Sequence, residues 1–128
     1  MSIRDQLDQF RSQLPACNVV AYADLSTGMI LCSSTRAKVP QEQLDLLCQT
    51  ATDLLTGDMA LQVAAAVTNG PDRIMQTALV FDGPNVEMFL RLSSHPTEAL
   101  CCDCTTDIDL QNLGRSARAL LLAMAAAS

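Results

Sequence analysis

Val19-Val20-Ala21-Tyr22-Ala23-Asp24-Leu25-Ser26-Thr27-Gly28-Met29-Ile30-Leu31 is the stretch on which the reading of this chain turns. An apolar run ends in Asp24, four turn-forming positions follow, and a second apolar run begins directly after Gly28, a residue that takes positive φ without steric cost. That pattern predicts a β-hairpin with strands over Asn18 to Asp24 and Met29 to Ser34. Upstream, Ile3, Leu7, Phe10 and Leu14 recur at helical spacing, Ser2 and Asp5 are placed as a capping box, and Pro15 closes the helix.

Downstream, Pro40 suits the first position of a second helix. Its apolar stripe of Leu44, Leu47, Cys48, Ala51, Leu54 and Leu55 stops at Gly57. From Asp58 to Val67 two readings compete: alanine content favours a helix capped by Asp58, while Leu61, Val63, Ala65 and Val67 alternate as in a strand. The helix is preferred. Asn69-Gly70-Pro71-Asp72 then breaks the chain. Strand-like runs follow over Arg73 to Phe81, Asn85 to Leu92 and Glu98 to Thr105, separated by Asp82-Gly83-Pro84 and by Ser93 to Pro96. Leu110, Leu113, Ala117, Leu120, Leu121 and Met124 form a closing helix behind Asp107 or Asp109 as cap. The predicted order, α-β-β-α-β-β-β-α, gives an α+β fold with one five-stranded antiparallel sheet and helices on its faces. Residues 1–128 read as a single domain, and a free sheet edge beside an apolar helix invites another chain.

Composition narrows the function classes. The chain has 128 residues, 49% hydrophobic and 17% charged, with three Phe, one Tyr and no Trp. It is too apolar for a disordered segment, and its core must be aliphatic. A net charge of −6 and a pI near 4.4 disfavour phosphate backbones and anionic membranes, and the scarcity of aromatics removes the platforms that hold single-stranded nucleic acid. A protein partner is expected, with neither nucleic acid nor membrane. Arg4, Asp5, Asp8 and Arg11 interrupt the N-terminal apolar positions, so no signal peptide is read there, and no apolar run approaches the length of a spanning helix. These features predict a cytoplasmic protein with reduced cysteines.

Candidate chemistry is sparse. Cys101, Cys102 and Cys104 form the one constellation that suggests a soft metal or redox site, but strand alternation puts Cys101 on the face opposite Cys102 and Cys104. Structural thiols are the simpler reading. Cys17, Cys32 and Cys48 lie in separate elements, and the single candidate base, His95, falls in a predicted turn where a solvated imidazole is the ordinary state. The glycines are isolated, so neither a phosphate-cradling loop nor a dinucleotide fingerprint is present. Asp103, Asp107 and Asp109 lack calcium-loop spacing and read as turn and cap residues. Met29, Met59, Met75, Met88 and Met124 fit core positions. Arg115 and Arg118 read as the solvated face of the last helix. No catalytic residue, cofactor site or metal site is assigned.

With the hairpin, the long helix, the meander and the closing helix in this order, the sequence resembles the Roadblock family. That family comprises the small domains of roadblock-type dynein light chains and of bacterial regulators of Ras-like GTPases. The stretch from Val19 to Leu31 is similar to the family's first hairpin, and the resemblance spans nearly the whole chain. It implies a non-catalytic homodimeric adaptor or regulator for a small GTPase or a multiprotein complex. It also implies that the third strand and second helix meet their symmetry mates, which places Met75, Thr77 and Leu79 near one seam and Leu47, Ala51 and Leu54 near the other. Two other readings stand beside it. One is a chaperone like those of type III secretion, whose order has three strands before the middle helix. The other is a thiol sensor or metal-binding protein built on Cys101, Cys102 and Cys104.

Overall fold

A computed structural model describes residues 2–57 and 74–127. The ambiguous segment from Asp58 to Val67 lies outside them. Helix α1 (Ile3–Ser12) leads into β1 (Cys17–Asp24) and β2 (Met29–Thr35); α2 (Gln41–Thr56) follows, then β3 (Thr77–Asp82), β4 (Asn85–Leu92), β5 (His95–Thr105) and α3 (Leu110–Ala127). The five strands form one sheet in the order β2-β1-β5-β4-β3, every neighbouring pair antiparallel. This is the α-β-β-α-β-β-β-α architecture that the sequence pattern implies.

Local chemistry explains the boundaries. Ser2 accepts from the Asp5 N–H at 3.1 Å and Asp5 accepts from the Ser2 N–H at 3.4 Å, closing the capping box of α1. Asp24 accepts from the Ser26 N–H at 3.0 Å and from its hydroxyl, while Gly28 takes φ +72°, so the hairpin turns where expected. Asp109, rather than Asp107, caps α3, accepting from the Asn112 N–H at 3.1 Å. Pro40 is extended and precedes α2, so Gln41 is the first helical residue. β5 begins three residues before the expected Glu98, because the turn after β4 needs only Ser93 and Ser94 and lets His95 pair with Leu92.

The sheet is covered on both sides. Helices α1 and α3 bury Leu7, Phe10, Leu113, Ala117 and Leu121 against Val20, Tyr22, Met88, Leu90, Leu100 and Cys102. On the opposite face α2 buries Leu44, Leu47, Cys48, Ala51 and Leu55 against Val19, Ala21, Phe89, Ala99 and Cys101. Central strands β1 and β5 are therefore apolar on both faces, which is why they read as continuous apolar runs. Polar groups inside are tied. Ser34, 3% exposed, donates to Asp8 and accepts from Arg11 Nε at 2.9 Å, fastening α1 to β2. Among the described residues no helix is long and apolar enough to cross a membrane.

Candidate protein-docking surface

The two sheet edges differ. β2 carries a register shift opposite Tyr22 and Ala23, which leaves Leu31 unpaired and bends the strand; a bulge of this kind protects an edge. β3 pairs with β4 in unbroken register from Thr77↔Leu90 to Asp82↔Asn85. The Arg91 N–H donates to the Gln76 carbonyl at 2.8 Å, which makes Thr77 and Leu90 a non-hydrogen-bonded pair. Ala78, Val80 and Asp82 then exchange bonds with β4, whereas Thr77, Leu79 and Phe81 turn their N–H and C=O groups outward. No described strand covers that edge. It contains neither lysine nor proline, the residues that commonly blunt an edge.

Side chains reinforce the backbone pattern. Ala78 and Val80 pack toward α2, but Leu79 and Phe81, 43% and 64% exposed, lie on the other face beyond the reach of α3. On α2 the outward residues include Leu46, 65% exposed, and Leu54, 37% exposed, with half-buried Thr50 between them at helical spacing.

Of the six residues placed at a seam from sequence, Thr77, Leu79 and Leu54 are exposed, and Met75 is half-buried against the α2-side core. Leu47 and Ala51 are buried in the chain's own core, because the sheet takes up the helix stripe to which they belong. Leu46 and Phe81 lie outside that set. Leu46 breaks the stripe by following Leu44 at two residues, and that misfit is its one signal in the sequence; Phe81 carries none beyond its place at a strand end.

Between the first half of α2 and the sheet lies a groove of about 200 Å³, lined by Val19, Val39, Leu46, Asp82, Glu87 and Asp103 among others. Glu87 and Asp103 are direct cross-strand partners. Burial, followed by the neighbouring charges of Asp103 and Asp82, raises the Glu87 carboxyl above its ordinary value. Burial, followed by Cys17 and Asp82, does the same to Asp103.

The cysteines divide as alternation requires. Cys101 faces α2 beside Cys48, while Cys102 and Cys104 face α1 and α3. Cys17 joins the second pair because the β1–β5 register shifts between Cys17 and Val19, placing it on the face of Val20. Among the described residues no group of three or more His, Cys, Asp or Glu is arranged to hold a metal ion. His95 is exposed, with Nδ1 3.0 Å from the Ser94 hydroxyl.

The sequence matches no protein-family model and no curated protein. The backbone arrangement does have matches. A Roadblock/LC7 domain from Streptomyces avermitilis superposes with a TM-score of 0.75 at 10% identity, over 96% of this chain and 94% of that one. The fold is that of the Roadblock/LC7 domains. The gliding protein MglB from Thermus thermophilus is similar at a TM-score of 0.73 and 16% identity, covering 98% of this chain and 90% of its own. MglC from Myxococcus xanthus matches at 0.61 and 14%, with both chains covered in full. Within this Roadblock fold, β3 is an edge strand and α2 is the lone described helix on its face of the sheet.

Proposed function

We propose that this chain is a non-catalytic, cytoplasmic, homodimeric adaptor or regulator that binds a small Ras-like GTPase or a multiprotein complex. The observation that carries the reading is the β3 edge, which no described strand covers and where outward backbone groups at Thr77, Leu79 and Phe81 adjoin exposed apolar side chains. A second copy related by a twofold axis would pair with that edge and continue the sheet. The outward Leu46 and Leu54 of α2 extend the apolar area on the other face. The resemblance to Roadblock regulators supplies the class of partner, and a solved MglB with a tetrameric arrangement supports association as a habit of the fold. Residues 1–128 act as one domain in this reading.

Two strands precede the middle helix, where a type III secretion chaperone is expected to have three. Light scattering across a concentration series tests the dimer, and a monomer at high concentration would remove the basis of the proposal. Affinity capture from lysate loaded with GTP analogue or with GDP tests the partner. Stoichiometric retention of a GTPase in one nucleotide state is the expected result; stoichiometric retention of an unfolded effector segment would replace the adaptor with a chaperone.

A further inference from the structure

The register shift that turns Cys17 toward Cys102 and Cys104 has a chemical consequence. Cys17 and Cys104 are cross-strand partners on β1 and β5, and both are fully buried on the α1 and α3 face. The Thr105 N–H donates to the Ala16 carbonyl at 2.9 Å, so the pair between them is of the non-hydrogen-bonded type. Such pairs hold their Cα atoms about 4.5 Å apart, the closer of the two antiparallel spacings. A disulfide accepts Cα separations of roughly 4.4–6.8 Å, so the backbone already suits one. Cys102 is opposite Val20 and therefore diagonal to Cys17.

We propose that Cys17 and Cys104 form a two-thiol oxidation site, which a peroxide converts into a cross-strand disulfide between β1 and β5. Cys17 is the attacking thiol. Its S–H donates to the Val19 carbonyl at 3.5 Å, and interaction with the neighbouring thiols of Cys102 and Cys104 lowers its pKa below the ordinary value against the opposing effect of burial. The same interaction, followed by burial, keeps Cys104 protonated. In the first step the Cys17 thiolate attacks one oxygen of hydrogen peroxide. A sulfur–oxygen bond forms, the oxygen–oxygen bond breaks, and the departing hydroxide takes up the thiol's proton as water. In the second step the Cys104 sulfur attacks the Cys17 sulfenic acid. The sulfur–sulfur bond forms, the sulfur–oxygen bond breaks, and hydroxide leaves with the Cys104 proton as a second water. Two thiols and one peroxide thus give one disulfide and two waters, with two electrons passing from sulfur to oxygen.

Access favours a small oxidant. Peroxide is close to water in size, and local opening of the native state exposes buried groups to solutes of that size before larger ones. A crevice of about 310 Å³ lies at this end of the sheet, lined in part by Leu14, Pro15, Ala16 and Ile108, so the three residues before Cys17 border solvent. Cys101 stands apart on the opposite face, where burial pushes its thiol far up and keeps it unreactive.

The test uses the full chain carrying Cys32→Ser, which removes the half-buried thiol most open to intermolecular oxidation. Folded protein is exposed to hydrogen peroxide, quenched with catalase, unfolded in the presence of N-ethylmaleimide and mapped by mass spectrometry. The expected product has lost two hydrogen atoms, carries a Cys17–Cys104 crosslink and is alkylated at Cys48, Cys101 and Cys102. Adding Cys102→Ser leaves the crosslink in place. Adding Cys104→Ser abolishes it and lets dimedone trap a sulfenic acid at Cys17. Alkylation of every remaining thiol after peroxide treatment, or a crosslink joining any other pair, overturns the proposal, and both are read without the Cys104 variant should that fail to fold.

Discussion

Arg91 is 5% exposed, and among the described residues its guanidinium ends on backbone carbonyls. Nε donates to Met75 at 2.7 Å, Nη1 to Pro96 at 3.1 Å and Nη2 to Leu55 at 2.6 Å, joining the end of α2, the approach to β3 and the start of β5. A planar fork with fixed donor directions is what three divergent acceptors require, and a lysine ammonium does not reproduce it. Arg91→Met should therefore cost about 2–4 kcal/mol through unsatisfied buried carbonyls, and Arg91→Lys a smaller but clear part of that, read by urea denaturation. Wild-type stability in both variants would refute the role. Glu87 and Asp103 act in the opposite sense. Like charges directly across a strand pair are unfavourable, and the folded chain binds both protons more tightly than the unfolded chain. The two carboxylates thus oppose folding at neutral pH, and their opposition fades as pH falls through the raised folded values toward the ordinary carboxylate range. Glu87→Gln should stabilise the protein by about 0.5 kcal/mol at pH 7, solvent screening included, with the gain vanishing near pH 4. A gain that persists in acid would mean that the effect is packing and not charge.

At the scale of elements, signals confined to a few neighbouring residues are the legible ones. The Ser2–Asp5 capping box, the Asp24–Gly28 turn and the stop at Gly57 each depend on chemistry within one turn of chain, and each fixes a boundary close to its predicted place. Asp109 belongs to this class: Asp109→Ala should cost about 1 kcal/mol by releasing the Asn112 N–H, measured by thermal melts, whereas Asp107→Ala should cost less because Asp107 accepts from Thr105 at the exposed turn and caps no helix. Equal losses would reassign the cap. Features set by distant partners are not legible. The bulge at the start of β1 follows from its pairing with β5, so simple alternation assigns Cys17 to the face of Val19 and separates it from Cys102 and Cys104. The apolar stripe of α2 likewise gives its residues without saying which chain they serve, and the sheet takes Leu47 and Ala51 while leaving Leu46 outward. β3 starts later than the apolar pattern implies for the same reason: Met75 and Gln76 are held by Arg91, and no residue nearer in sequence marks that tether.

For the whole molecule, the arrangement of layers decides which surface remains for another chain. Helices α1 and α3 cover one face from β2 to β4 and α2 covers the other, so among the described residues β3 keeps one face partly bare and one edge unpaired. If β3 joins its symmetry mate, folding and association are linked. Mass action then raises the apparent melting temperature with protein concentration, because association stabilises the folded chain. Leu79→Lys places a charge on the edge at an exposed position, so it should dissociate the dimer while leaving each protomer's core intact. The expected outcome is a wild-type melting temperature that climbs by several degrees over a hundredfold concentration range, and a variant that melts at one temperature throughout with unchanged far-ultraviolet circular dichroism. Leu46→Glu distinguishes the two faces: dissociation by this change as well would place α2 within the same interface, whereas an intact dimer would leave the outward face of α2 free for a different partner. A concentration-independent wild-type melt, with a monomer by light scattering, would mean that the β3 edge stays open in solution.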